Sequence, residues 1–280
     1  MIYREYKPSQ ALAKYIECYW SAYAERPPFR KQESLIPDGT IELMFNFGDP
    51  YSQIAKGEVC PVNGSHVIGI RKKTLLISQT RKQDFFAVRF RLNGIYPVFK
   101  LPAHLFANGF YNIRDLFPKN LFELEERLYE EPDNQKRVVI VEKYLLKKLD
   151  DSDADYGFVS HCTKMLLSGT SASIQDLARY HHTNYKRIER KFLQVSGLTP
   201  SEMMKIVRFN KALTMMYSGK YDSFTEIAHA CDYTDQSHFI RHFKDLTGFT
   251  PKEFISNQFT IVQVIQPALV DRLSKLYNSL

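Results

Sequence analysis

The sequence predicts an α+β protein of two domains: a mainly β N-terminal domain with closing helices, and an all-α C-terminal domain of two helix-turn-helix units joined by a long helix. Three observations support this fold class. The first 115 residues carry strand periodicity, helical periodicity begins near Lys119, and a unit of about 50 residues is repeated after Tyr156. With 280 residues, of which 44% are hydrophobic and 25% charged, the chain has room for two cores.

Strand patterns dominate the N-terminal part. Residues 40–47 predict a half-buried strand, because every second residue is apolar: Ile41, Leu43, Phe45 and Phe47. Residues 84–92 predict another strand, whose apolar face consists of Phe86, Val88, Phe90 and Leu92. Shorter strands are predicted at residues 66–70 and 74–78. Pro37-Asp38-Gly39 is predicted as a turn in which Asp38 is a turn former.

The strand at residues 84–92 carries Arg89 and Arg91 on the face opposite its phenylalanines. We interpret this face as solvated, because exposed surface is the usual place for an arginine. The alternative is a β-barrel interior in which the two guanidinium groups meet an anionic ligand.

Helical spacing replaces strand spacing after Lys119. Two closing helices are expected, with apolar residues at Leu121, Leu124 and Leu128 and then at Val138, Val141, Leu145 and Leu149. Pro132-Asp133-Asn134 predicts the break between them. The stretch from Asp150 to Asp155 has four carboxylates and is either a linker or a helix N-terminus. It divides the chain into residues 1–150, residues 155–257 and a C-terminal tail, 258–280, without an assigned role.

The C-terminal domain repeats itself. Phe192, Gly197, Thr199 and Pro200 recur as Phe243, Gly248, Thr250 and Pro251, each 51 residues later. Upstream, Leu177-Ala178 recurs as Ile227-Ala228 after 50 residues, so the second unit has one extra residue in its tight turn. Two copies are too few for a solenoid, and the repeat therefore indicates a duplicated supersecondary unit.

Each unit is predicted as a short helix, a turn and a longer helix. Ser173 is the expected N-cap of the first short helix, and Asn184 and Asp235 are the expected N-caps of the two longer helices. The predicted core residues of the longer helices are Ile188, Phe192 and Val195, then Phe239, Phe243 and Leu246. Residues 200–217 are spaced for a long helix that joins the units.

The longer helices carry polar groups opposite their cores. On the first, Lys186 and Arg190 lie on the outer face with Glu189 beside them; on the second, the outer residues are Ser237, Ile240, Arg241 and Lys244. A helix fits the major groove of B-DNA, and arginine can donate two hydrogen bonds to guanine O6 and N7. The pattern therefore favours base reading by two helices that enter successive major grooves, roughly 34 Å apart.

At these residues the chain resembles the AraC-type (AraC/XylS) family of bacterial regulators. The resemblance is carried by Ile227-Ala228, by the run from Tyr233 to Lys244 and by the run from Gly248 to Phe254. It implies seven helices over roughly 100 residues. It also implies DNA contacts from Lys186, Glu189, Arg190, Gln236, Ser237, Ile240 and Arg241. Where the family has a turn glycine, this chain has His182 and Asp232, which we expect to adopt a left-handed conformation.

The N-terminal part resembles an uncharacterised β-rich domain found ahead of this DNA-binding module. The matching segments are Ile16-Glu17-Cys18-Tyr19-Trp20, Leu35-Ile36-Pro37-Asp38-Gly39 and Val88-Arg89-Phe90-Arg91. This second resemblance implies that residues 1–150 sense a signal or oligomerise, without naming a ligand.

Together the two resemblances imply a cytoplasmic transcription factor, an activator or a repressor, that binds double-stranded promoter DNA. RNA polymerase, a small-molecule effector and a second copy of the chain are its further expected partners, and no membrane association is expected. The net charge of +7 is compatible with a polyanionic partner. Cys18, Cys60, Cys162 and Cys231 are expected to be reduced, buried thiols, because they lie far apart and form no CxxC pair.

We expect no catalytic residue, no cofactor and no metal, because the sequence contains no GxSxG, no phosphate-binding glycine loop and no metal-ligand spacing. Two alternatives stay open. One is a small-molecule-binding enzyme with a fused regulatory module, which turnover without DNA would support. The other is a protein-interaction module, which binding that depends steeply on salt and on base sequence would exclude.

Overall fold

The computed structural model describes residues 2–25, 32–55, 57–79, 81–168, 173–218, 221 and 223–257. The predicted tail at residues 258–280 lies outside the described residues. None of the helices in the described part of the chain combines the length and the apolarity that a membrane crossing requires.

The N-terminal domain contains two antiparallel sheets. Within the described residues the strands are β1 (Ile2–Tyr6), β2 (Ile16–Ala24), β3 (Glu33–Leu35), β4 (Ile41–Asn46), β5 (Tyr51–Ala55), β6 (Glu58–Val62), β7 (His66–Ile68), β8 (Leu75–Ser78), β9 (Gln83–Phe90) and β10 (Phe110–Asn112). The six-stranded sheet has the order β1-β2-β9-β4-β7-β10, and the four-stranded sheet has the order β3-β8-β5-β6. The strands predicted near residues 40–47, 66–70, 74–78 and 84–92 are β4, β7, β8 and β9.

The six-stranded sheet is covered on both faces, so the expectation of a half-buried strand at residues 40–47 is wrong. Leu43 and Phe45 of β4 pack with the helices in one core, whereas Met44 packs with residues of the four-stranded sheet in another. Alternation in the sequence detects only the more apolar face. The second sheet buries the other face, including the polar Glu42.

Arg89 is a second correction. Its side chain is only 4% exposed, and its Nε donates to Glu42 Oε1 at 2.5 Å. The guanidinium is enclosed by side chains of neighbouring strands of its own sheet, with Glu5 at 3.9 Å and the Trp20 ring 5.9 Å away. Arg91 is half-buried, and its Nε donates to the Ala13 carbonyl oxygen at 2.9 Å. The interpretation of this face as solvated is therefore wrong for Arg89.

Four helices close the N-terminal domain. They are α1 (Tyr96–Phe99), α2 (Ile113–Leu116), α3 (Asn120–Glu130) and α4 (Asn134–Lys148), with a 3₁₀ turn at Ala103–Phe106 after α1. The expected helices are α3 and α4, which present Leu121, Leu128, Val141 and Leu145 to the core. The predicted break lies between them, where Asp133 accepts hydrogen bonds from the first backbone amides of α4.

The C-terminal part is all α. Its helices in the described residues are α5 (Ala154–Leu167), α6 (Ile174–Tyr180), α7 (Tyr185–Ser196), α8 (Pro200–Ser218), α9 (Phe224–Ala230), α10 (Gln236–Thr247) and α11 (Pro251–Asn257). This is the number that the family resemblance implies, and α8 is the expected joining helix. Asp153 caps α5, so the acidic stretch ends as a helix N-terminus. Before it, Asp150 and Asp151 bind Lys100 and Tyr15 of the N-terminal domain.

The cysteines follow the expectation in part. Cys18, Cys162 and Cys231 are buried free thiols, and burial raises their pKa values. Cys60 is exposed, which corrects the expectation that it is buried. It lies on β6, the edge strand of the four-stranded sheet, where no further strand among the described residues covers it.

Candidate nucleic-acid interface

The two longer helices of the repeat, α7 and α10, are built alike from their first residue, and we call them the recognition helices. Asn184 caps α7 by accepting from the backbone amide of Arg187 at 2.9 Å. Asp235 caps α10 by accepting from the backbone amide of His238 at 2.7 Å. The preceding short helices are capped by Ser173 and Ser223. The three caps expected from the sequence are thus present, which fixes where each helix begins.

The tight turns keep their geometry without the glycine of the family. His182 has φ of 47° and Asp232 has φ of 58°, the left-handed conformation expected for both. The chain then returns to the short helix through backbone hydrogen bonds from Thr183 to Ala178 and from Tyr233 to Ala228, both 2.9 Å long. The donors of these two bonds, Thr183 and Tyr233, are 50 residues apart in the sequence. The N-caps that come next, Asn184 and Asp235, are 51 residues apart. The extra residue of the second unit is therefore Thr234.

Both recognition helices also end alike. Gly197 and Gly248 have φ of 76° and 80° and close the last turns of α7 and α10. The following helices begin with matching capping boxes. In each box the backbone amide of the threonine donates to the glutamate carboxylate, and the backbone amide of the glutamate donates to the threonine hydroxyl oxygen. The pairs are Thr199 with Glu202 and Thr250 with Glu253.

The inner face of each recognition helix is a core face. Ile188, Phe192 and Val195 are fully buried in the first unit, and Phe239 and Phe243 are fully buried in the second. Leu246 is only half-buried. The phenylalanines are thus packing residues, as their spacing predicts, and they offer no ring for stacking on a base.

The outer face is open to solvent. Among the residues proposed for DNA contact, the exposed ones are Lys186, Arg190, Gln236, Ser237 and Arg241, and the half-buried ones are Glu189 and Ile240. Arg190 and Arg241 occupy equivalent positions and form no ion pair within the described residues. Their guanidinium groups are free to donate to an external acceptor.

Two neighbours orient polar members of this face, and the sequence reasoning missed both. Tyr185 donates to Glu189 Oε1 at 2.5 Å, so the Glu189 carboxylate is held by a tyrosine four residues earlier on the same helix. Thr225 donates to Gln236 Oε1 at 2.8 Å across the turn of the second unit. The spacing of four between Tyr185 and Glu189 on one helix is a signal that could have identified the first pair.

The one histidine of this region with a large pKa shift is neutral. Burial lowers the pKa of His242 to about 4, and the nearby Lys205, Arg208 and His238 add to the effect. Its Nδ1 is 2.8 Å from the Tyr233 hydroxyl oxygen, and burial raises the pKa of that tyrosine. His242 therefore adds no positive charge to the recognition surface.

Two further histidines have structural positions in the first unit. His181 lies edge-on to Phe158 and Tyr180, and His182 occupies the left-handed turn position. Within the described residues no three His, Cys, Asp or Glu side chains converge as metal ligands do.

This geometry defines a class of protein. Two capped helix-turn-helix units, each with an exposed polar outer face on its second helix, are the arrangement of DNA-binding proteins that read the major groove. Residues 177–257 match the family described as "Helix-turn-helix domain", and residues 4–111 match a domain of unknown function, DUF6597. Residues 177–257 are thus an AraC-type helix-turn-helix domain, and the chain is a DNA-binding transcription regulator with an N-terminal domain of unknown function. No curated protein matches the chain.

Several solved structures are similar to the chain at low sequence identity. A 1.65 Å structure of ToxT from Vibrio cholerae is 13% identical, covers 84% of this chain and 97% of its own, and has a TM-score of 0.45. ToxT from Vibrio cholerae O395 is 15% identical, covers 86% of this chain and 98% of its own, with a TM-score of 0.44. Wild-type ToxT from strain SCE256, described as bound to unsaturated fatty acid, is 16% identical, covers 82% and 96%, and has a TM-score of 0.40.

Proposed function

We propose that this regulator reads two adjacent DNA elements in a sequence-specific manner, one with each recognition helix, in successive major grooves of promoter DNA. The observation that carries the proposal is the pair Arg190 and Arg241. Both are exposed, both lie on the outer face of a capped helix, and they stand 51 residues apart at equivalent positions. Two copies of the same hydrophobic core explain why the apolar residues recur. Packing does not require an exposed arginine to recur at the equivalent position.

The outer residues supply different reading chemistry. Arg190 and Arg241 can donate bidentate hydrogen bonds to guanine, whereas Gln236 suits the edge of adenine. Ser237 can bind either a base or a phosphate, and Ile240 can contact a thymine methyl group. In the first unit, Lys186 suits a phosphate or guanine, and Glu189 can accept from cytosine N4.

In the proposal, residues 1–150 regulate this contact by sensing a small-molecule effector or by binding a second copy of the chain. A continuous hydrophobic core supports this role, because it extends from Phe86 in the six-stranded sheet to Phe192 in the first recognition helix. An effector with different affinities for two arrangements of this core would shift the population competent for DNA. In a bacterial cytoplasm the outcome would be altered access of RNA polymerase to the promoter, with activation or repression set by the position of the site.

The test is selection of bound duplexes from a random DNA pool with the full chain, at two salt concentrations. We expect a motif of two elements about one helical turn apart, with affinity that falls as salt rises. Arg127→Ala, which removes an exposed charge on α3, is the matched control for the arginine variants discussed below. Salt-sensitive binding without a motif would contradict sequence-specific reading. Absence of binding would favour the protein-interaction alternative, and turnover of a small molecule without DNA would favour the enzyme.

A further inference from the structure

The two helix-turn-helix units do not share a hydrophobic core. Met203 and Ile206, near the start of α8, belong to the core that contains the first unit and the N-terminal domain. Phe209 and Leu213, further along α8, belong to the separate core of the second unit. Within the C-terminal domain, α8 is thus the element that both cores have in common.

The N-terminal domain packs closely against the end of the first recognition helix. The backbone at Gly197 approaches so closely that an added Cβ would lie 2.6 Å from Ile70 Cγ2 and 3.0 Å from the Ala103 carbonyl oxygen. Immediately beyond the helix, Lys72 Nζ lies 2.9 Å from Glu202 Oε1 at the start of α8. Burial alone would raise the pKa of the Glu202 carboxyl. The hydrogen bonds that this carboxylate accepts from the Thr199 backbone and from Lys72 outweigh that effect, so the pKa is lowered.

The same domain also touches the second unit, through Ile36 and Thr74 among the described residues. Ile36 is 1% exposed and packs in the core of that unit together with Phe239 and Phe243. The backbone N–H of Thr74 donates to the carbonyl oxygen of Leu246 at 2.8 Å. Leu246 lies in the last turn of α10, where carbonyl groups have no partner within the helix, so an external donor stabilises this end.

Arg71 joins these contact points. Its Nε donates to the carbonyl oxygen of Ile36 at 2.9 Å, and its Nη2 donates to the Asp38 carboxylate and to Thr40 Oγ1. The guanidinium is buried, with an exposed side-chain fraction of 4%. It therefore ties residues 36–40 to residues 70–74, and we call these two segments together the brace.

The brace is anchored in both sheets. Residues 36–40 connect β3 of the four-stranded sheet to β4 of the six-stranded sheet, and residues 70–74 lie between β7 of the six-stranded sheet and β8 of the four-stranded sheet. Both segments cross from one sheet to the other. A segment held at both ends by a sheet has little freedom to follow an independent movement of the unit that it contacts.

We infer that the brace fixes the separation and rotation of the two recognition helices, so that Ile36, Arg71 and Thr74 are positioning residues that determine which spacing of DNA elements the chain accepts. This inference rests on the proposed function. Helix α8 alone is a single connection between the units, whereas the brace adds a second connection through the N-terminal domain. With both in place, insertion of base pairs between the two elements moves one element away from its helix.

The experiment measures binding of the full chain to the selected duplex and to duplexes in which one, two or three base pairs are inserted between the elements. Each base pair displaces an element by roughly 3.4 Å and rotates it about the DNA axis. We expect wild-type affinity to fall at least about tenfold for two inserted pairs, because one set of base contacts is lost. For Arg71→Met and Ile36→Ala we expect this loss to shrink to about threefold or less, with affinity for the original duplex changing less than tenfold.

A backbone pair of variants isolates the contact with Leu246. Thr74→Pro removes the N–H donor, whereas Thr74→Val keeps it and removes only a buried hydroxyl that has no hydrogen-bond partner within the described residues. We expect relaxed spacing from Thr74→Pro and wild-type spacing from Thr74→Val. Circular dichroism identifies any variant that fails to fold. The spacing preference of the variants that do fold then tests the inference.

The outcomes separate the two proposals. Wild-type chain that selects no two-element motif overturns both the proposed function and the brace. Wild-type chain that selects the motif, together with folded Ile36→Ala and Thr74→Pro variants as strict in spacing as wild type, overturns the brace alone. Relaxed spacing in Thr74→Val as well would overturn the role assigned to the Thr74 N–H.

Discussion

Gly197 at the end of the first recognition helix lies against Ile70 of the N-terminal domain, whereas Gly248 at the same position of the second helix has no described atom within 4 Å of where a Cβ would stand. Both glycines have positive φ, 76° and 80°. They therefore form a natural pair in which backbone strain is equal and only the packing against the N-terminal domain differs.

From this pair we expect unequal losses of stability. Gly248→Ala should lower the free energy of unfolding by about 1–2 kcal/mol, because alanine is strained in the left-handed region. Gly197→Ala should cost about 1–3 kcal/mol more, because its Cβ also collides with the Ile70 side chain and the Ala103 carbonyl. Urea denaturation of both variants measures the difference. Equal losses would mean that the N-terminal domain gives way at this contact without cost.

Arg190 and Arg241 should each control one element of the DNA site. We expect Arg241→Ala to cost about 1–3 kcal/mol of binding free energy and to relax base preference at one position of one element. Arg190→Ala should do the same in the other element, because its helix occupies the other groove. Fluorescence anisotropy on the selected duplex and its single-base variants measures both effects.

The control for this prediction is Arg127→Ala, which removes the same charge from an exposed position on α3. It should leave base preference unchanged. An Arg241→Ala protein with wild-type base preference and only a uniform loss of affinity would assign Arg241 to a phosphate instead of a base.

How much the sequence could predict depended on how local the determinants are. The N-caps Asn184 and Asp235 and the buried Phe192 follow from neighbours within a few residues along the chain, whereas the left-handed His182 follows from the family resemblance. Helix periods and caps act over that range, so the helical domain and its outer faces were within reach.

The contacts of the brace could not be predicted from the sequence. Arg71 binds Ile36 and Asp38, although strands β4 to β7 separate them from it in the sequence. Thr74 binds Leu246, which belongs to the far end of the helical domain. No periodicity links such positions. The burial of Arg89 was missed for the same reason, because its partners Glu5, Trp20 and Glu42 lie on strands distant in sequence. Residue patterns indicated that β9 has a polar face, but not what lies opposite it.

The buried pair of Arg89 and Glu42 gives a prediction about stability. Arg89→Met should destabilise the protein by about 3–5 kcal/mol, because it leaves the Glu42 carboxylate buried without its cation. The double variant Arg89→Met with Glu42→Leu should recover most of that loss, since the buried Glu42 carboxylate is then absent and the other carboxylate near Arg89, that of Glu5, is partly exposed to solvent. Thermal and urea denaturation report both.

The comparison variant is Arg91→Met on the same segment. Arg91 is half-buried and donates to the carbonyl oxygen of Ala13, so its loss should cost only about 1 kcal/mol. A double variant as unstable as Arg89→Met alone would show that the pair contributes packing or hydrogen bonds that apolar side chains cannot replace.

The last prediction concerns pH and His66. Its ring is buried, with Nε2 2.7 Å from the Tyr51 hydroxyl oxygen and Nδ1 2.9 Å from the Gly64 carbonyl oxygen. The carbonyl can only accept, so we assign the proton to Nδ1, and Nε2 then accepts from Tyr51. Burial lowers the pKa of His66 from 6.5 to about 4, and the bond to Gly64 opposes this only in part.

The sign of the effect follows from where the proton binds. Between pH 6.5 and pH 4 the unfolded chain binds a proton at this histidine that the folded chain does not bind. The contribution of His66 to stability is therefore complete above pH 6.5 and is lost as the pH falls toward 4, a change of about 3 kcal/mol.

His66→Gln keeps one donor and one acceptor but cannot be protonated. We expect its free energy of unfolding to fall by about 3 kcal/mol less than that of the wild type between pH 6.5 and pH 4. His229→Gln, at an exposed position on α9, is the matched control for replacing a histidine by glutamine. Urea denaturation at half-unit steps of pH provides the measurement. Parallel profiles for wild type and His66→Gln would show that the protonated ring is accommodated inside the sheets, because water or a rearranged Tyr51 then stabilises the charge.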